Sequence, residues 1–254
     1  MTVSRRTFLT GLGAVGVVGA TAPVLASCGA FSKHVDVLLI GDSIMNQSST
    51  AVKQQLRSQR GLEDANTHAS AVNGSGLLTP KVYDWQNEAR TLVDTYTPNI
   101  SVALFVGNYT DTDLFIGRDG TEVPTDYSKR FYDEWEWQAE LLTKTLQSKG
   151  GQVYWVLPPP FFGEEGGRRE NLLRDAYVRL AQKIPGVGLI DGRQALGDAR
   201  GDFTWELPGN DGKPITVRQA DSLHLTPAGG ERMARQMAFD VGPKLIEFAR
   251  QNAR

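Results

Sequence analysis

The sequence has few of the residues that build disulfides and metal sites. Its 254 residues include one cysteine, Cys28, and three histidines, His34, His68 and His224. A single cysteine excludes an internal disulfide. No cluster of His, Cys, Asp and Glu has metal-ligand spacing, and no phosphate-binding glycine loop is present. The sequence therefore predicts chemistry that needs no cofactor and no metal.

Long runs of one charge are also missing. The chain carries 27 basic and 29 acidic side chains, and no basic stretch stands out. Nucleic-acid-binding proteins concentrate Lys and Arg on one face or along one segment. We therefore expect no nucleic acid among the partners of this protein. The length fits one domain with a sizeable core.

The first 27 residues have the composition of an export signal. Arg5 and Arg6 lie in a twin-arginine pattern, and an apolar run rich in Gly and Ala follows over residues 11–26. That run is interrupted by glycines and Pro23, so it is marginal for a membrane-spanning helix, which needs about 20 mostly apolar residues. We predict that residues 1–27 are a twin-arginine signal peptide. This route exports folded proteins, which suits a chain with no disulfide to form outside.

Cys28 directly follows the small residues of Leu25-Ala26-Ser27. This order is similar to the lipobox of bacterial lipoproteins, which predicts a lipidated Cys28 as the mature N-terminus on the outer face of the bacterial cytoplasmic membrane. The alternative is an uncleaved anchor helix with an incidental cysteine. Under the lipoprotein hypothesis, residues 28–34 form the lipidated cysteine and a short tether, and residues 35–254 form the catalytic domain.

Strand-like and helix-like patterns alternate along that domain. Nearly continuous apolar runs at 35–40, 100–106 and 152–157 are typical of strands buried on both faces. Further strands are predicted at 67–72 and 187–190, and helices at 48–58, 81–96, 131–146, around 172–180, and from 227 towards 248 with a kink or break at Gly242-Pro243. Alternation of this kind predicts an α/β fold, a three-layer α/β/α sandwich around a parallel sheet.

Two motifs carry candidate catalytic residues. Ser43, in Gly41-Asp42-Ser43, follows the first strand, where a base could reach its hydroxyl; a hydroxyl is a weak nucleophile without such a base. Asp221 and His224 are separated by two residues in a predicted loop. Histidine is the usual base near neutral pH, and a carboxylate can fix its tautomer. The alternatives are an ordinary turn at Ser43 and a surface loop with a solvated Asp221 and a capping His224.

Together these two motifs resemble the first and last signature blocks of the SGNH (GDSL-like) hydrolases. The resemblance implies a flavodoxin-like α/β/α fold and a triad of Ser43, His224 and Asp221. It also implies an oxyanion hole formed by the Ser43 N–H, the Gly74 N–H and the Asn108 side-chain amide, with Gly76 as a less favoured substitute for Gly74. The family's usual block is Gly-x-Asn-Asp, and the Asn108 block departs from it. Here Gly107 directly precedes the asparagine instead of standing two residues before it, and Asp111 does not directly follow the asparagine. A plain turn at Gly107-Asn108 is the alternative.

The resemblance implies a carboxylic ester hydrolase or an acyltransferase. From the predicted location we expect a serine esterase that acts on O-acyl, most simply O-acetyl, esters of cell-envelope glycans or glycolipids. Aromatic residues such as Phe161 and Phe162, in a Pro- and Gly-rich loop beside the site, could stack on sugars or line an acyl pocket. Two alternatives remain open: a sugar O-acyltransferase using the same triad, and a non-catalytic glycan-binding lipoprotein.

Overall fold

Five parallel strands form the central sheet, in the order β2-β1-β3-β4-β5. The structure, a computed structural model, describes residues 34–109 and 114–252; the predicted signal peptide, Cys28, most of the tether and Asp111 lie outside these residues. The strands are β1 (Asp36–Gly41), β2 (Asn66–Ala71), β3 (Ile100–Leu104), β4 (Gln152–Leu157) and β5 (Val187–Asp191). All four neighbouring pairs are parallel.

Helices cover both faces of this sheet. They are α1 (Ser43–Arg57), α2 (Trp85–Tyr96), α3 (Lys129–Leu146), α4 (Gly163–Lys183), α5 (Gly192–Leu196) and α6 (Pro227–Asn252). Alternate residues of β1 enter different cores: Val37 and Leu39 pack with α1 and α6, whereas Leu38 and Ile40 pack with α2, α3 and α4. This alternation is why the strand is apolar along its length. The predicted three-layer α/β/α fold is confirmed.

Several boundaries differ from the predicted ones. Helix α1 begins at Ser43 rather than near residue 48, because the Asp42 side chain accepts a hydrogen bond from the Ile44 N–H at 3.0 Å and caps the helix. Helix α6 continues through Pro243, where the sequence predicted a kink or a break. Helix α5 and a short hairpin, β6 (Glu206–Pro208) with β7 (Pro214–Thr216), were not predicted. In the ranges that the structure describes, no helix is both long and apolar enough to cross a membrane.

Candidate active site

Ser43 lies at the junction of β1 and α1, at the carboxyl edge of the sheet. It is the first residue of α1 and only 4% exposed. The N–H groups of a helix's first turn have no partner within the helix, so the Ser43 N–H is free to bind a ligand and lies at the positive end of the helix dipole. The junction is tight: a Cβ added to Gly41 would lie 2.1 Å from the Leu104 carbonyl oxygen. Glycine is therefore required where β1 passes β3 on its way to the serine.

The structure brings Ser43, His224 and Asp221 into one hydrogen-bonded chain. The Ser43 Oγ lies 2.9 Å from His224 Nε2, and His224 Nδ1 lies 2.6 Å from Asp221 Oδ2. With a proton on Nδ1, the imidazole donates to Asp221 and accepts from the serine hydroxyl. Residues 43 and 224 are far apart in sequence, so only the fold produces this contact.

Backbone contacts fix the loop that carries Asp221 and His224. Asp221 Oδ1 accepts hydrogen bonds from the N–H groups of Leu223 (3.0 Å) and His224 (2.9 Å), and Ser222 adopts a positive φ of 64° in between. These bonds lower the pKa of Asp221, with the side-chain bond from His224 as the main cause. The carboxylate therefore stays ionised near neutral pH and can stabilise a protonated imidazole.

The loop is also tied to the helix that begins at the serine. The Leu225 N–H donates to Gln47 Oε1 of α1 at 2.8 Å. This single bond connects the residue after the histidine to a position one turn beyond the serine, and so it relates the two halves of the site directly.

Gly74 lies in the loop after β2 and has a left-handed backbone conformation. Its φ is +73°, and no atom would lie within 4 Å of a Cβ added to it. The N–H of the alternative donor, Gly76, is already used, because it donates to Thr79 Oγ1 at 2.8 Å. A Cβ on Gly76 would also lie 2.1 Å from the Asn108 carbonyl oxygen. Gly76 therefore allows the two loops to approach, and Gly74 is the better candidate of the two.

Asn108 lies beside the serine turn, although its block is shifted in sequence. Its Nδ2 donates to the Ser75 carbonyl oxygen at 3.1 Å and, more weakly, to Asp42 Oδ2 at 3.4 Å. Gly107 has a φ of +86°, which a residue with a side chain adopts only with strain. The structure thus brings Asn108 next to the loop of Gly74, while Asp111 lies outside the described residues.

Asp42 is a site residue whose importance was missed in the sequence. It is fully buried, and its carboxylate accepts hydrogen bonds from the N–H groups of Ile44 (3.0 Å) and Val106 (2.7 Å) as well as from Asn108. Burial raises the pKa of Asp42 to about 7, although the hydrogen bonds oppose this shift. Its place in the Gly-Asp-Ser motif was visible, but nothing in the sequence showed that it connects α1 to the loop after β3.

Arg218 was also missed. Its side chain is buried; Nη1 donates to the Leu223 carbonyl oxygen at 3.0 Å and Nη2 to the Pro160 carbonyl oxygen at 2.8 Å. Burial lowers the pKa of this guanidinium to about 10, so it remains charged at neutral pH. Arg218 joins the histidine loop to the loop after β4.

The arrangement provides groups for nucleophilic catalysis. In the described part of the chain, no three His, Cys, Asp or Glu side chains are grouped so as to hold a metal ion. A cavity of about 650 Å³ between α2 and α3, lined in part by Gln86, Arg90 and Lys144, does not include Ser43 or His224. The chemistry available at the site is therefore proton transfer from a serine hydroxyl to an imidazole, with N–H donors nearby.

Comparisons with known proteins agree with this architecture. A family model described as "Protein of unknown function (DUF459)" matches residues 36–239. No curated protein matches the chain in sequence.

Three solved structures illustrate the likeness in fold. TesA is 17% identical, with a TM-score of 0.55, over 82% of this chain and 98% of its own. A carbohydrate esterase family 3 protein from Talaromyces cellulolyticus is 16% identical, with a TM-score of 0.56, over 85% and 99%. A mutant of Axe2, an acetyl-xylooligosaccharide esterase from Geobacillus Stearmophilus, is 14% identical, with a TM-score of 0.57, over 82% and 94%. The chain belongs to the DUF459 family and has the fold of the SGNH hydrolases.

Proposed function

We propose that this protein is a serine esterase that removes O-acetyl groups from glycans through a covalent acyl-enzyme. The observation that carries the proposal is the hydrogen-bonded chain from Ser43 through His224 to Asp221, at the carboxyl edge of a parallel sheet. Ligand sites of such folds lie at this edge.

In the first half-reaction, Ser43 Oγ attacks the ester carbonyl carbon while His224 Nε2 takes the hydroxyl proton. The carbonyl π electrons move to oxygen, and a tetrahedral oxyanion forms. Collapse of this intermediate breaks the bond to the sugar oxygen, which receives the proton from His224 and leaves as a free hydroxyl. Asp221 holds the ring in the required tautomer throughout.

In the second half-reaction, water attacks the acetyl-Ser43 ester and His224 takes a proton from that water. The second tetrahedral intermediate collapses as the bond from carbon to Ser43 Oγ breaks, and the proton on His224 passes to Ser43 Oγ. The acetic acid released then loses its own proton to solvent as acetate. Both oxyanions would be bound by the N–H groups of Ser43 and Gly74 and by the Asn108 amide. The Asn108 amide is held in place before the reaction by its hydrogen bonds to Ser75 and Asp42, and donors positioned in advance stabilise developing charge most effectively.

The choice of an acetylated glycan rests on two kinds of support. Proteins of similar fold include a carbohydrate esterase and an acetyl-xylooligosaccharide esterase. The N-terminal sequence, with Arg5, Arg6 and Cys28 in the order of an exported lipoprotein, would place the enzyme on the outer face of the bacterial cytoplasmic membrane, among envelope glycans and glycolipids.

Hydrolysis is favoured over acyl transfer by the exposure of the catalytic loop. The side chains of His224 and Asp221 are 34% and 50% exposed, so water reaches the imidazole directly. Transfer to a sugar hydroxyl requires that water be kept from the acyl-enzyme. A sugar O-acyltransferase and a non-catalytic glycan-binding lipoprotein are the other candidate functions.

Active-site labelling tests the proposal. A fluorophosphonate should react covalently with Ser43, and Ser43→Ala should abolish both the labelling and the hydrolysis of an aryl acetate. Ser49→Ala, at a partly exposed position of the same helix, should behave as wild type. A folded wild-type protein that takes up no label would instead indicate the glycan-binding function.

A further inference from the structure

Three aromatic side chains from two separate loops meet on the surface. Phe162 follows β4, and Phe203 and Trp205 precede β6. The centroid of the Phe203 ring lies 5.2 Å from the centroid of the Phe162 ring and 5.2 Å from that of the Trp205 ring. The centroids of Phe162 and Trp205 are 5.9 Å apart. Phe162 is 59% exposed and Trp205 is 39% exposed. We call these three residues the aromatic patch.

The aromatic patch is connected to the catalytic loop through one side chain. The guanidinium carbon of Arg218 lies 5.5 Å from the centre of the Phe203 ring. The same guanidinium donates to the carbonyl oxygen of Leu223, the residue directly before His224. The patch is therefore at the same edge of the molecule as the catalytic histidine, with Arg218 between them.

Packing of the domain does not account for the patch. None of its three residues belongs to either of the two hydrophobic cores, although the neighbouring Phe161 packs against one of them. Single exposed apolar residues are common, but a cluster of large rings beside a catalytic residue indicates a binding surface.

The charges around the patch restrict the class of ligand. Glu164 and Glu165 follow Phe162, while Asp202 and Glu206 flank the other two aromatic residues, and all four are exposed. Arg168 pairs with Glu165, and Arg200 pairs with Asp198 and Asp202. Outside these pairs, Glu164 and Glu206 supply the negative charge beside the patch, and the charged Arg218 against Phe203 is itself buried. An acidic surrounding of this kind disfavours phosphate groups, anionic lipid head groups and nucleic acids.

Uncharged sugar rings fit the remaining requirements. The face of an aromatic ring carries partial negative charge and attracts the C–H groups of a flat, apolar ligand face, such as that of a pyranose. An acyl chain would instead need an enclosed apolar slot, and Phe162 is more than half exposed. We propose that the aromatic patch is a binding site for the uncharged glycan chain of the substrate, beyond the residue whose acetyl ester reaches Ser43. This inference rests on the proposed function and specifies its substrate.

Two substrates distinguish an effect of the aromatic patch on glycan binding from an effect on the catalytic chemistry. The full-length protein and its Trp205→Ala and Phe162→Ala variants are assayed with acetylated xylooligosaccharides and with p-nitrophenyl acetate. We expect KM for the oligosaccharides to rise about tenfold in each variant, the effect of losing one stacked aromatic face, with kcat and all aryl acetate kinetics unchanged. Trp205→Phe, which keeps a ring, should restore most of the affinity. Phe239→Ala removes an aromatic residue that is 73% exposed on α6 and serves as the matched control.

Each other result has a definite meaning. Wild-type protein that hydrolyses neither ester contradicts the proposed function. Wild-type protein that hydrolyses both, with variants that bind the oligosaccharides normally, overturns the glycan site while leaving the esterase intact. Variants impaired only on aryl esters with long acyl chains would also overturn it, because the patch would then bind the acyl group. Equal losses on both substrates would show that the patch only supports the catalytic loop.

Discussion

At the scale of single residues, the buried carboxylate of Asp42 connects the segments that carry Ser43 and Asn108, two of the proposed oxyanion donors. The Asp42 carboxylate accepts hydrogen bonds from the Ile44 N–H in α1, from the Val106 N–H in the loop after β3 and from the Asn108 amide. In the free enzyme, the Asn108 amide points its two hydrogens at Asp42 and at Ser75. The bond to Asp42 is long, at 3.4 Å, and is the weaker of the two. We infer that an oxyanion takes over this hydrogen while the bond to Ser75 keeps the amide in place.

Replacement of Asn108 tests this assignment. If the amide donates to the oxyanion, Asn108→Ala should lower kcat by ~10²–10³ with little change in KM, because the donor meets full negative charge only in the tetrahedral state. Steady-state kinetics with an aryl acetate give both constants. Fluorophosphonate labelling should become slower but persist, since Ser43 and His224 remain. Asn87→Ala, at an exposed position of α2, is the control. A change in kcat of only a few-fold would show that Asn108 is a turn residue.

At the scale of secondary-structure elements, the contact between α1 and α6 helps to set the distance between Ser43 and His224. Helix α1 begins at Ser43, and α6 begins three residues after His224. A Cβ added to Gly230 of α6 would lie 2.4 Å from the Gln47 carbonyl oxygen of α1. The same Gln47 binds the loop before α6 through its side chain. The absence of a side chain at Gly230 thus allows both halves of the site to meet.

A methyl group at Gly230 should push the two helices apart. The contact is with backbone, which cannot rotate away, so Gly230→Ala should cost ~1–3 kcal/mol of stability. It should also lower kcat/KM more than tenfold, because small displacements of catalytic groups are expensive. Gly167→Ala in α4 is the matched control, since nothing lies within 4 Å of its added Cβ; it should leave activity unchanged and raise stability by ~0.5–1 kcal/mol. Thermal unfolding and aryl acetate kinetics measure both effects. Equal behaviour of the two variants would contradict the role given to this contact.

The elements themselves were largely predictable, and the contacts between them were not. Buried strands such as β3 and β4 were visible as apolar runs, because a strand covered on both faces has no polar side. The early start of α1 was missed, although Asp42 is a typical N-cap residue and provided a signal. The aromatic patch and Arg218 could not be predicted, since they join loops separated by about 40 to 60 positions, as in the bond from Arg218 to Pro160. Such contacts depend on the fold and leave no periodic pattern.

At the scale of the whole molecule, the chain combines an α/β domain with an N-terminal segment of a different composition. Without residues 1–27, the 27 basic side chains lose Arg5 and Arg6, which leaves 25 against 29 acidic ones. A domain with this balance gains no attraction from an anionic membrane surface, which recruits proteins through clusters of Lys and Arg. Attachment to the membrane would therefore have to come from the N-terminal segment, in the proposed function from a lipid on Cys28.

Substitution of Cys28 tests this attachment. Because a thiol is needed to accept the lipid, Cys28→Ala should prevent lipidation and processing at that position, and the mature species with an N-terminal lipidated cysteine should disappear. Fractionation and intact mass of the purified protein measure both. Ser27→Ala, which keeps a small residue before the cysteine, should be processed as wild type.

Arg5→Lys together with Arg6→Lys should stop export and keep the protein in the cytoplasm, because a receptor reads the pair rather than its charge. Purified Cys28→Ala protein should retain full activity on an aryl acetate, since Cys28 has no part in the proposed chemistry. A wild-type mature protein that begins at another residue and carries no lipid mass would contradict the lipoprotein assignment and leave the esterase assignment untouched.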